Sequence, residues 1–147
     1  MKKKSRRQTR IEVIQVLYSY QLTDQTIDVQ DVFDNFEHIN QEQLKTLEKI
    51  AKNLKFYQVM VQKFLNNDWS WERIDPIVRA ILINATHEFL SIDPKIVINE
   101  ALEIAKSFMT DAEQAKKQIA FINAILQNVY KALVYLESKD KANDSKN

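Results

Sequence analysis

The stretch Asp75-Pro76-Ile77-Val78-Arg79-Ala80-Ile81-Leu82-Ile83-Asn84-Ala85-Thr86-His87-Glu88-Phe89-Leu90 decides the fold. Asp is a preferred N-cap because its carboxylate accepts orphan backbone N–H groups, and Pro suits the first helical position because it has no N–H to lose. The helix it opens is apolar nearly all round, through Ile77, Val78, Ala80, Ile81, Leu82, Ile83, Ala85 and Phe89. A surface helix carries one apolar stripe. A helix apolar on every side belongs in the middle of the protein, covered by others.

The covering helices flank it in sequence. Downstream, Ser91-Ile92-Asp93-Pro94 is a short break, so the next helix, about Lys95–Phe108, is an adjacent partner presenting Val97, Ala101, Ile104, Ala105 and Phe108. Thr110 with Glu113 resembles a capping box that opens a last helix carrying Ile119, Ile122, Leu126, Val129 and Leu133. Upstream, a helix from near Ser5 to Gln21 or Leu22 precedes a short one on Val29, Val32, Phe33 and Phe36. Asn40 with Gln43 forms another capping box, opening a long helix on Leu44, Leu47, Ala51, Leu54 and Val61. Asn66-Asn67-Asp68 interrupts it, and Trp69, Trp71 and Ile74 make an aromatic turn before Asp75. The pattern predicts one all-α domain of about seven helices over residues 1–137, with a polar, disordered tail at 138–147.

Composition agrees. The 147 residues include no glycine and two prolines. Without glycine, tight hairpins and glycine-dependent phosphate loops are disfavoured. The absence of cysteine excludes disulfides, thiol nucleophiles and Cys-type zinc sites. No apolar run approaches the ~20 residues of a membrane span. Glu12 and Gln15 interrupt what would be the apolar part of a signal peptide, so the expected location is cytoplasmic.

Charge is unevenly placed. Six of the 21 Lys and Arg lie in the first ten residues, as Lys2, Lys3, Lys4, Arg6, Arg7 and Arg10, while all 20 acids come later. Such a head suggests a polyanion partner. On a helical wheel Arg6 and Arg10 share a side with Val13 and Leu17, and the solvent-facing stripe is Glu12, Gln15 and Ser19. The arginines therefore continue the packed face past its end. Cations in a first helical turn oppose the macrodipole by roughly 0.3–1 kcal/mol each at low salt. An arrangement that costs the helix something favours a binding role over a merely solubilising terminus.

Catalytic chemistry finds no footing in the residue pattern. His38 and His87 have no metal-ligand spacing, and His87 reads as structural. No serine sits in a nucleophile elbow, and Glu100 with Glu103 is ordinary surface patterning. The sequence therefore predicts no enzyme, cofactor or metal. Tyr18, Tyr20 and Phe121 offer stacking faces for unpaired bases, whereas Asn84, Asn99 and Asn123 read as core or cap hydrogen-bonders.

Three blocks together resemble the NusB transcription-antitermination family. The first is Arg6-Arg7-Gln8-Thr9-Arg10 leading to Gln15-Val16-Leu17-Tyr18-Ser19-Tyr20-Gln21. The second is Trp71 to Leu82, ending in Glu88-Phe89-Leu90. The third and most specific is Lys95-Ile96-Val97-Ile98-Asn99-Glu100-Ala101-Leu102-Glu103-Ile104-Ala105-Lys106-Ser107-Phe108, followed by Phe121-Ile122-Asn123-Ala124-Ile125-Leu126. The resemblance implies two perpendicular three-helix bundles and binding of boxA RNA from ribosomal-RNA transcripts. It further implies a heterodimer with the ribosomal protein that doubles as NusE, acting with other Nus factors on RNA polymerase to suppress premature termination.

By position, the resemblance makes Arg6, Arg7 and Arg10, extended by Lys2, Lys3 and Lys4, the RNA-contacting start. It sets Phe121 near the RNA path and puts Tyr18, Val78 and Arg79 on the side facing the ribosomal protein. Two departures stand out. Met109 replaces a usual glycine, and twelve residues, Lys116 and Lys117 among them, separate Phe108 from Phe121. Alternative readings are a helical module in ribosomal-RNA maturation, a purely protein-binding scaffold, or part of a cytosine methyltransferase. The last would need a glycine-rich cofactor domain.

Overall fold

The computed structural model describes residues 3–144. Ser5 caps the first helix, α1 (Arg6–Leu22), by accepting from the Gln8 N–H at 3.0 Å. Beyond its end, Asp24 takes φ of 52°, a left-handed conformation that Asp tolerates better than most residues in a chain without glycine. Asp28 caps the short α2 (Val29–Asn35). Asn40 and Gln43 form the expected reciprocal capping box at the start of α3 (Gln41–Gln62). After a 3-10 turn at Trp71–Arg73, Asp75 and Pro76 open α4 (Pro76–Glu88), and Asp93 and Pro94 open α5 (Pro94–Phe108) in the same way. The chain closes with the long α6 (Ala112–Asp144).

Six α-helices and one 3-10 turn, with no strand among the described residues, make the all-α architecture expected. Helix α3 touches α1 and α2, the last three helices pack on one another, and α4 joins the two groups. Helix α4 contacts α1, α3, α5 and α6, and its Val78, Ala80, Ile81, Leu82, Ile83 and Ala85 are all buried. At ~25 cal/mol per Å² of apolar area, each larger side chain in that row contributes about 1.5–3 kcal/mol of burial. The helix is the hub its sequence describes.

Four local expectations are corrected. Glu12, read as solvent-facing, is 6% exposed, because α1 is flanked on that side by the N-terminus of α3. Phe33 is exposed rather than packed. Asp111, not Thr110, serves the start of α6, its carboxylate accepting from the Glu113 N–H at 3.0 Å. Asn99 is exposed, whereas Asn84 is buried and hydrogen-bonded to Glu88.

Helix α6 also runs further than the polar pattern from Ser138 suggested. It continues to Asp144 with a Glu137–Lys141 pair one turn apart, which supports the helix there. Residues 145–147 of the expected tail lie outside the described ones. A window of α6 reaches a mean hydropathy of 1.4, long and apolar enough by composition to cross a membrane. Its Ile122, Ile125, Leu126 and Val129 are buried in the core, while Gln127, Asn128 and Lys131 on the other face are exposed. That is the pattern of an amphipathic core helix.

Candidate nucleic-acid interface

The N-terminus of α1 lies where α3, α4 and α5 converge, and the cations of the basic head have different surroundings there. Lys4 is the most constrained. Its Nζ donates to Glu12 Oε1 at 2.6 Å, to Gln43 Oε1 at 2.9 Å, and to the His38 carbonyl. An ammonium has three donors, and all three are used. Glu12 is fully matched in turn, accepting also from Gln8 Nε2 at 2.8 Å and Gln43 Nε2 at 3.1 Å. Burial alone would raise the Glu12 carboxyl, but the bonds from Lys4, Gln8 and Gln43 outweigh it and pull the pKa down to about 2. Gln43 is 0% exposed and also reaches the Thr9 carbonyl, so the capping box of α3 is wired to the first turn of α1.

Arg10 is a second staple. Its Nε donates to both Glu88 oxygens at 2.9 and 3.0 Å, with the two side chains only 12% and 11% exposed. Asn84 Nδ2 adds a bond to the same carboxylate at 2.8 Å. Arg10, Glu88 and Glu100 line one small cavity between α1, α4 and α5. Helical phase correctly set Arg10 at the rim of the packed face, and the partner waiting there is an acid of α4.

Arg7 is more open. Nε and Nη2 meet the two Glu100 oxygens at 2.9 and 3.0 Å, and the arginine side chain is 53% exposed. The Arg7 hydrogen bonds hold the Glu100 carboxyl below its ordinary pKa, and Glu100 raises that of Arg7. Lys3 and Arg6 are exposed and make no hydrogen bond or ion pair among the described residues. Lys2 lies outside the described residues. Of the five described cations of the basic head, three are therefore paired with acids of the fold, and Lys3 and Arg6 are free, among the described residues, to meet a phosphate without rearrangement.

The remaining expected residues lie elsewhere. Phe121, half-buried on α6, lines an open cleft of about 890 Å³ with Trp69, Arg73, Lys117 and Asn128. No residue of α1 lines that cleft, so the aromatic and the basic rim are separate features. Lys117, from the segment that departs from the family pattern, is part of it. Tyr18 is half-buried on α1. Tyr20 is no stacking face: it is 5% exposed, and its hydroxyl donates to the Asp28 carbonyl and the Asp31 carboxylate. Burial first, and then the Asp31 bond, push it up to about 12.

Val78 requires a correction. Expected on the partner-facing side, it is 1% exposed, because α4 is covered on that face too, and its side chain is not available for direct contact. Arg79 is partly exposed, with Nη2 on the Gln21 carbonyl at 3.2 Å and its guanidinium 5.9 Å from the Trp71 ring centre. Its Nε is buried without a hydrogen-bond partner. His87 is structural as read, its Nδ1 2.7 Å from the Tyr57 hydroxyl, and burial lowers its pKa.

Sequence reasoning missed the acids that hold the cations. Lys4–Glu12 falls on one helix end, but the Arg10–Glu88 and Arg7–Glu100 pairs span 78 and 93 residues. No local signal announces such pairings.

The fold and the site define an all-α helical domain with a mixed-charge rim at the start of its first helix. Comparison with known proteins narrows the class. The NusB family model matches residues 7–131. The transcription antitermination protein NusB of Sulfurimonas denitrificans is 34% identical over 134 residues, covering 86% of this chain and 97% of its own. That of a Nitratiruptor species is also 34% identical, covering 86% and 92%. The solved structure of T. maritima NusB has the same fold, with a TM-score of 0.71 at 24% identity over 88% of this chain and 93% of that one. The chain belongs to the NusB family of transcription antitermination factors.

Proposed function

We propose that this protein binds boxA-type single-stranded RNA of ribosomal-RNA transcripts together with the NusE ribosomal protein, in the cytoplasm, and so suppresses premature termination. Other Nus factors and RNA polymerase are reached indirectly. The observation that carries the reading is the pair of cations without a partner among the described residues, Lys3 and Arg6, beside the half-exposed Arg7 at the start of α1. A strand laid across this rim meets phosphate contacts there, while its bases are read elsewhere, with Phe121 as one stacking face. Tyr18 and Arg79 contribute to the partner-facing surface, with Val78 supporting it from beneath.

The rim predicts a modest electrostatic footprint. Each phosphate neutralised on a single strand adds about −0.7 to the slope of log K against log salt. Two free cations give a slope of about −1.4. Anisotropy titration of a boxA-type oligonucleotide against the wild-type chain and the Lys3→Ala/Arg6→Ala variant tests the assignment. The variant is expected to bind at least tenfold more weakly and with a flatter slope. Equal binding at near-physiological salt would remove the rim from the RNA site.

A further inference from the structure

Arg7 differs from the other head cations in being both available and opposed. Its guanidinium is half exposed, yet its Nε–Nη2 edge is fully matched to the Glu100 carboxylate on α5. Carboxylates and phosphates compete for the same fork of donors, since both present two oxygens at similar spacing. Glu100 is in turn held at the α1–α5 junction, 22% exposed, beside the cavity that Arg10 and Glu88 also line.

We propose that Glu100 is an electrostatic brake on strand binding at Arg7. It weakens the RNA affinity of this protein alone and hides one cation from the salt dependence. The inference rests on the RNA-binding reading above. A phosphate has two routes to Arg7: it displaces Glu100, or it approaches the free end of the guanidinium with Glu100 still in place. In the first case the broken ion pair opposes binding. In the second, a negative carboxylate remains within a few ångströms of the phosphate, and Arg7 offers little net charge. Both routes set Glu100 against the strand. Among the described residues the rim is then reduced to Lys3 and Arg6, a small set of phosphate contacts.

The test uses the full chain, a boxA-type RNA oligonucleotide and anisotropy titrations over a series of KCl concentrations. Glu100→Gln keeps the shape and removes the charge. It is expected to bind about three- to fivefold more tightly at low salt, with a slope steeper by about 0.7. Arg7→Ala in the Glu100→Gln background is expected to abolish both gains. Glu103→Gln is the control for charge alone, because Glu103 pairs with Lys106 at 3.1 Å and makes no bond to Arg7. It is expected to change affinity less than twofold.

A Glu100→Gln variant that melts like wild type but binds RNA equally well, or more weakly, overturns the brake; weaker binding would make Glu100 a residue that positions Arg7. Binding that is lost in Lys3→Ala/Arg6→Ala yet indifferent to Glu100→Gln sinks the brake and leaves the RNA reading standing. If neither wild type nor Glu100→Gln binds the RNA, the functional reading fails and the brake fails with it.

Discussion

Replacing Arg10 by alanine leaves the Glu88 carboxylate without a cation among the described residues, in a site where it is 11% exposed. The bifurcated charged hydrogen bond from Nε is lost, and the bond from the Asn84 amide remains. Breaking a buried ion pair from one side costs about 3–5 kcal/mol, because the surviving charge stays desolvated. The pair sits at the edge of the core, so the lower end, about 3 kcal/mol, applies. For a chain of this length that corresponds to a fall in Tm of roughly 6–12 °C. Thermal melts followed by circular dichroism at pH 7 measure it directly. Glu88→Gln in the Arg10→Ala background removes the orphan charge and is expected to recover about half of the loss. Arg7→Ala, at a half-exposed pair, is expected to melt within about 2 °C of wild type. An Arg10→Ala variant that melts within that same range would refute the view that Arg10 is a structural staple. The contrast bears on RNA work as well: a variant that removes all three arginines confounds loss of binding with loss of the α1–α4 junction.

Other consequences are directly measurable. The Glu12 carboxyl lies at about 2 against an ordinary 4.5, so the folded state binds its proton less readily than the unfolded chain. Its contribution, on the order of 3 kcal/mol, is complete above about pH 4.5 and is lost as pH falls towards 2. Carbon-detected NMR titration should show this shift in wild type and a return towards the ordinary value in Gln43→Ala; an unshifted wild-type carboxyl would contradict the buried network. His87 has a lowered pKa, so its neutral form favours folding above about pH 6.5, and stability declines as pH falls below that. Imidazole nitrogen shifts that show a charged ring at pH 6.5 would argue against the buried Tyr57–His87 pair. Asp75→Ala removes the side-chain acceptor that caps α4 and is expected to cost about 1 kcal/mol in urea unfolding, with no change in the m-value.

What the sequence made legible followed from how far apart the interacting residues lie. Caps are local: Asn40 with Gln43 and Asp75-Pro76 open the helices their chemistry specifies, although α5 starts already at Pro94 and the start of α6 is served by Asp111 rather than Thr110. The all-round apolar pattern of α4 identified the hub, because only burial on every side satisfies it. The same pattern argues against Val78 as a direct partner contact, and its side chain is buried. Glu12 escapes a helical wheel, which registers one packed face, because α1 is flanked by α4 and by the start of α3. The candidate site divides in the same way. The basic head is plain in the sequence, but which of its cations are already matched depends on acids far along the chain. Only the fold brings Glu88 and Glu100 to the rim.

The central claim is that this rim holds an RNA strand together with a second protein. Titration of a boxA-type oligonucleotide against the full chain, with and without the NusE ribosomal protein, tests it most directly. The account predicts weak, salt-sensitive binding by the chain alone, at least tenfold tighter binding with the partner present, and loss of both in Lys3→Ala/Arg6→Ala. Absence of RNA binding under both conditions, with the partner still bound to the chain, would contradict it and leave a protein-binding helical module.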